Sequence, residues 1–281
     1  MGVSEKPVVF SCAGESLVGI IHQAKRPLGI GVLLVVGGPQ YRVGSHRQFV
    51  TLARYLAEQG VTVFRFDYRG MGDSTGSMQD FEQASSDIKC AVNSFLEHES
   101  DIQTLVLWGL CDAASAICFY ASGDIRINGL VLLNPWVRTE HGESRVFLKD
   151  YYLKRFCSKA FWQKVFSGDV DLVDSCKSLG HKTANVFKTQ PQIQAIDTAS
   201  LPDRVLNSMN QFKKPILFVF SGKDLTAKEF LQLIDAQNIG TQLMERGNVT
   251  RVDLGESDHT FSHKVWKEQV NEATLKWVKE L

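Results

Sequence analysis

Leu105-Val106-Leu107-Trp108-Gly109-Leu110-Cys111-Asp112-Ala113-Ala114-Ser115 is the stretch whose reading decides the fold of this 281-residue chain. Residues 104–108 have the length and the β-branched or aromatic content of a buried strand, and residues 112–120 read as an alanine-rich helix. Between them, Gly109-Leu110-Cys111-Asp112-Ala113 reads as a sharp strand-to-helix turn, a nucleophile elbow with sulfur in place of oxygen. Small residues at 109 and 113 suit such a turn, because it brings the backbone against its neighbours where a branched Cβ would clash. The helix that follows points its free N–H groups and positive dipole end at the sulfur, which favours thiolate over thiol. A buried structural cysteine is the plainer explanation of this pattern alone, so the rest of the chain has to decide.

Two further segments supply partners. Residues 216–220 form an apolar run followed by Ser221-Gly222-Lys223-Asp224, which stands a carboxylate just beyond a strand's carboxyl end. Asp224 is the candidate acid. Residues 250–254 lead into Gly255-Glu256-Ser257-Asp258-His259-Thr260-Phe261, which places His259 in a loop before the terminal helix. His259 is the candidate base: it would take the thiol proton and return it to the leaving group, while Asp224 orients the ring. His263 competes for that role but falls inside the last helical run. The order nucleophile, acid, base resembles that of the α/β-hydrolase superfamily.

That resemblance extends to two more loops. The backbone N–H of Asp112, next to the nucleophile, is the first oxyanion donor it implies. Residues 32–36 run into Gly37-Gly38-Pro39, where many α/β-hydrolases carry His-Gly-x-Pro. Aligning the prolines makes the N–H of Gly38 the second donor, with Val36 in the place of the histidine. Asp67-Tyr68-Arg69-Gly70-Met71-Gly72-Asp73-Ser74 is similar to the superfamily's D-x-R-G-x-G-x-S loop. Its glycines permit a tight crossover, and Asp67 and Arg69 read as structural. More narrowly, residues 35–47, 65–74, 107–115 and 132–139 resemble the bacterial exosortase A system-associated hydrolase 1 family, whose pattern includes the elbow cysteine. This narrower resemblance implies a setting near exopolysaccharide production and protein sorting, and no particular substrate.

Lys plus Arg and Asp plus Glu are equal at 31 each, so no net field draws the chain to nucleic acid or an anionic membrane. No stretch approaches the roughly 20 apolar residues of a membrane span. The start lacks an apolar signal core, and Lys6 argues against myristoylation of Gly2. The six cysteines, scattered without paired or metal-like spacing, imply reduced thiols, a cytoplasmic protein and no metal; nothing calls for a cofactor. The oligomeric state is not legible.

Alternating strand and helix signals predict an α/β-hydrolase fold, a mostly parallel sheet flanked by helices, with its core in residues 1–134 and 213–281. Residues 135–212 break the rhythm and are expected to be a helical cap. Its aromatic front half, Trp136 and Tyr151 included, reads as the cap's own small core or as an apolar wall for an acyl or aromatic group. Arg42 and Arg47 after the oxyanion loop, with Arg138 at the cap's start, are candidates to hold an anionic head; solvated loop cations explain them equally well. The function expected is a cysteine hydrolase acting on a small-molecule ester, thioester or lactone through an acyl-enzyme. Acyl transfer to a sugar or alcohol is the alternative within the same chemistry, and a noncatalytic ligand-binding homologue is the alternative outside it.

Overall fold

In the central strands both odd and even side chains are apolar, so the sheet has to be covered on both faces. The computed structural model, which describes residues 3–38, 40–137 and 199–281, has that arrangement. β1 (Ser4–Cys12) and β2 (Glu15–Gln23) form an antiparallel hairpin, and β2 runs antiparallel to β4 (Thr62–Phe66). β4, β3 (Ile30–Val35), β5 (Thr104–Leu110), β6 (Ile127–Leu133), β7 (Ile216–Ser221) and β8 (Val249–Leu254) continue in parallel. The order across the eight strands is β1-β2-β4-β3-β5-β6-β7-β8.

The period of two assigns each strand's side chains to opposite cores. Leu33, Val35, Leu105, Leu107, Leu130, Leu132 and Phe218 enter one core, covered by α2 (Ser85–His98), α3 (Asp112–Ala121), α4 (Leu201–Gln211) and α5 (Leu225–Ala236). Val32, Leu34, Val106, Trp108, Val131 and Val219 enter the other, under α1 (Gln48–Glu58) and α7 (Lys264–Val278). A short α6 (Asn238–Met244) follows α5. Trp108 anchors the second core: its ring meets Phe49 edge-on at 5.6 Å, and its buried indole N–H donates to Thr274 Oγ1 at 3.3 Å. Full burial of each such side chain is worth about 2–3 kcal/mol. Every parallel strand thereby ends at one sheet edge, where α/β proteins gather their functional loops.

Two expectations change. Residues 201–212 had been assigned to the insertion, yet α4 buries Val205, Leu206 and Met209 completely in the first core. One compact unit comprises Met1–Thr139 with Leu201–Leu281, so the core resumes earlier than residue 213. Residues 138–198 of the expected cap, with the aromatic run after Trp136, lie outside the described residues. Cys12 and Cys90, 78 residues apart, also form a disulfide between β1 and α2. That pairing overturns the expectation of unpaired thiols drawn from spacing, because the two cysteines become neighbours only once α2 packs behind the hairpin. Among the described residues no helix is long and apolar enough to cross a membrane, and no cluster of three or more metal-ligating side chains occurs.

Candidate active site

The turn between β5 and α3 is as tight as its small residues allow. Cys111 has φ 65° and ψ −127°, a conformation rare for a residue with a side chain. Holding it there stores about 1–3 kcal/mol, which the surroundings have to supply. They do so through the end of β6: Cys111 N–H donates to Leu133 O at 2.9 Å, and Cys111 O accepts from Trp136 N–H at 3.2 Å. Ser115 Oγ fixes the same segment by donating to Trp136 O at 2.6 Å. A Cβ on Gly109 would lie 2.6 Å from Ile117 and 2.9 Å from the Ala113 backbone, so only glycine fits. The sulfur of Cys111 is left half-buried at the mouth of the sheet.

Asp224 and His259 meet it there. Asp224 is the N-cap of α5, accepting from Thr226 N–H at 3.2 Å and Ala227 N–H at 3.3 Å, and its Oδ2 lies 2.8 Å from His259 Nδ1. The Cys111 side chain lines the same cavity as this ring. Burial disfavours the imidazolium, but the bond to Asp224 and the nearby Cys111 side chain outweigh it, and the pKa of His259 is pushed up to about 10. His263 lies apart, as the N-cap of α7 with its ring 4.4 Å from that of Trp266.

Sequence reasoning missed the residue that joins these loops. Asn134, fully buried just after β6 with φ 43°, accepts from Ser221 N–H at 2.9 Å. Its amide donates to Ser221 Oγ at 2.9 Å and to His259 O at 3.4 Å, while Ser221 Oγ donates to Asp258 O at 2.9 Å. One side chain thus holds the end of β6, the end of β7 and the histidine loop in register. An Asn directly after a strand carries no sequence signal of this kind; only its buried position could have revealed it.

The oxyanion loop differs from expectation. Gly38, with φ 61°, donates its N–H to Asp112 Oδ2 at 2.8 Å, so the donor assigned to an oxyanion is held by a side chain. The Asp112 carboxyl is raised above its usual range first by burial, against which its bonds to main-chain N–H groups act.

The loop after β4 is architectural, as expected. Asp67 accepts from Arg42 N–H at 2.6 Å and Asp73 N–H at 3.0 Å, and a Cβ on Gly72 would fall 2.3 Å from its Oδ2. Arg69 pairs with Asp87 at 2.6 Å. The same network withdraws Arg42 from the substrate role: its guanidinium is bound to Asp67 and lies 2.6 Å from Asp73. The reason is local, since the aspartates of the neighbouring loop reach it before any ligand. Arg47 is exposed beside α1 and does not line the cavity at the elbow. Trp136 does. Arg138 and Tyr151 lie outside the described residues. The cavity, about 370 Å³, is further walled by Gly37, Gly38, Phe49, Phe81, Leu110 and Thr260 around Cys111, Asp112 and His259.

A family profile described as serine aminopeptidase, S33, matches residues 42–269, from just after the oxyanion loop through the histidine loop. The chain belongs to this hydrolase family. Where the S33 description names serine, this member has Cys111 at the elbow. Human protein ABHD12B is 33% identical over 105 residues, a match that covers 36% of this chain and 28% of that protein. Among solved structures, the S33 chain is similar to the Pyrococcus furiosus esterase Pf2001, with TM-score 0.67 at 16% identity over 99% of this chain and 91% of that one. The esterase domain of a Rhodothermus marinus protein is similar at TM-score 0.61 and 16% identity, covering 99% and 98%. At such identities these likenesses establish the α/β-hydrolase fold.

Proposed function

We propose that this S33 family member is a cysteine-dependent hydrolase of an ester, thioester or lactone. The observation that carries the reading is the single ring of His259, bonded to Asp224 at 2.8 Å and lining one cavity with Cys111. Three residues far apart in sequence meet in the order base-orienter, base and nucleophile. The resemblance to exosortase A system-associated hydrolase 1, whose pattern includes the elbow cysteine, supports reading the sulfur as the working nucleophile, and the exopolysaccharide setting belongs to this proposal.

Cys111 reacts as the thiolate beside the protonated His259 ring, and the sulfur attacks the acyl carbonyl to give a tetrahedral oxyanion that faces the N–H groups of Asp112 and Gly38. His259 then protonates the leaving alkoxide or thiolate as the carbon–oxygen or carbon–sulfur bond breaks. Water, deprotonated by the same ring, adds to the acyl-enzyme; its collapse releases free acid and restores the Cys111 thiolate beside the protonated ring. Sulfur leaves more readily than an amine, so a peptide's tetrahedral intermediate tends to collapse backward. Activated acyl groups therefore suit this site better than the peptides in the family's description.

The test is intact mass and acid release with a panel of p-nitrophenyl esters and acyl thioesters. The wild type is expected to show a transient acyl adduct that Cys111→Ala lacks. Equal turnover in the two proteins would overturn the mechanism.

A further inference from the structure

An anion already sits where the oxyanion has to go. Asp112 Oδ2 accepts the Gly38 N–H at 2.8 Å, and Oδ1 accepts the Ala113 N–H at 2.9 Å. One of the two main-chain donors assigned to the tetrahedral intermediate, the Gly38 N–H, thus serves the enzyme's own side chain. Gly37 is shaped to admit it, since a Cβ there would lie 2.2 Å from Asp112 Oδ1. A developing oxyanion cannot share one N–H with a full carboxylate at hydrogen-bonding distance, because the two charges repel and the donor has a single proton.

The carboxyl has a second place to go. Gly38, Phe81 and Asp112 line the cavity at the elbow and also a neighbouring one of about 180 Å³, walled by Met71, Met78 and Tyr68 and by two carboxylates already engaged, Asp87 with Arg69 and Asp80 with the Glu82 N–H. The Tyr68 hydroxyl there is buried and has no hydrogen-bond partner among the described residues. Burial first, and then the fields of Asp112 and Asp87, hold its proton on. A buried O–H without an acceptor is costly and is the natural host for a displaced carboxylate.

We propose that Asp112 is a positioning residue with two seats: it occupies the oxyanion hole at rest and moves toward the Tyr68 hydroxyl when an acyl carbonyl takes the Gly38 N–H. The inference rests on Cys111 being the acylated nucleophile. It makes carbonyl chemistry at this sulfur conditional on a side-chain movement that other reactions of the same sulfur do not need.

The test exploits that difference. Iodoacetamide alkylates sulfur by displacing iodide at a saturated carbon and forms no oxyanion, whereas p-nitrophenyl butyrate acylates it through one. The ratio of acylation to alkylation rate at Cys111 therefore reads the hole and cancels changes in sulfur reactivity. Asp112→Asn and Asp112→Ala are each expected to raise the ratio roughly tenfold or more, as expected when one charge-assisted hydrogen bond no longer has to be given up. Tyr68→Phe is expected to lower it several-fold in the wild type, about the effect of removing one hydrogen bond, and to leave it unchanged in the Asp112→Ala background. A ratio unchanged or lowered in both Asp112 variants overturns the proposal, as does a Tyr68→Phe effect that is absent or equal in the two backgrounds. Failure of either reagent to label Cys111 would instead bring down the nucleophile assignment itself, and the proposal with it.

Discussion

Asp224 performs two tasks that a single substitution can separate. Its oxygens cap α5 through Thr226 and Ala227, and Oδ2 receives His259 Nδ1. Asn is as good an N-cap as Asp, so Asp224→Asn keeps an acceptor for Thr226 and is expected to stay within about 0.5 kcal/mol of the wild type. Asp224→Ala loses both cap bonds, about 1 kcal/mol, which in a chain of this size lowers the melting temperature by about 2–4 °C. For catalysis the two should be alike. An amide facing Nδ1 holds the ring in the wrong tautomer, and the equivalent change in a serine triad lowers kcat by roughly 10⁴, so a loss of about 10³–10⁴ is expected here. The bond that now outweighs burial would also be gone, so the His259 pKa falls from about 10 and the alkaline limb of the pH–rate profile, where the ring loses the proton the leaving group takes, moves to lower pH with it. Thermal melts and kcat/KM on one p-nitrophenyl ester read both tasks. An Asn variant with wild-type turnover, or one as unstable as the Ala variant and equally active, would refute the assignment of two roles to this carboxylate.

Asn134→Ala should lower stability by about 1–3 kcal/mol by stranding the buried Ser221 N–H, and should slow turnover by loosening the His259 loop. An unchanged melt would remove Asn134 from that role. His259, whose folded pKa is raised from 6.5 to about 10, contributes stability that is fully present below pH 6.5 and is lost as pH rises through 10. The difference in urea midpoint between wild type and His259→Gln should therefore shrink from pH 6 to pH 10.5; a difference that grows with pH would contradict the direction of the shift.

What was legible in the sequence was what depends on local backbone geometry. The elbow needs small residues at fixed offsets, and the Asp67 loop needs glycines where Gly70 and Gly72 take φ 69° and 53°. Asp224 and His259 could be found because each follows a strand in a known order. The silent features depend on partners distant in sequence. Arg42 looked free until folding brought Asp67 and Asp73 to it. The helix Leu201–Gln211 buries Val205, Leu206 and Met209 in the core, with Leu201 packed at its margin, too sparse a stripe to separate from the residues before it. The occupation of Gly38 by Asp112 required two loops to be placed together, and no motif encodes a side chain that competes with its own main chain.

The Cys12–Cys90 bond closes a covalent ring whose sequence separation is 78 residues. Gly38 and the Asp67 loop lie on the ring, whereas Cys111, Asp224 and His259 all lie outside it. Oxidation therefore shrinks the disordered ensemble of the segment that carries Gly38 and leaves that of the segments carrying Cys111, Asp112, Asp224 and His259 unconstrained. The bond ties only one side of the elbow cavity in the unfolded chain, yet the stability it adds is shared by the whole compact unit.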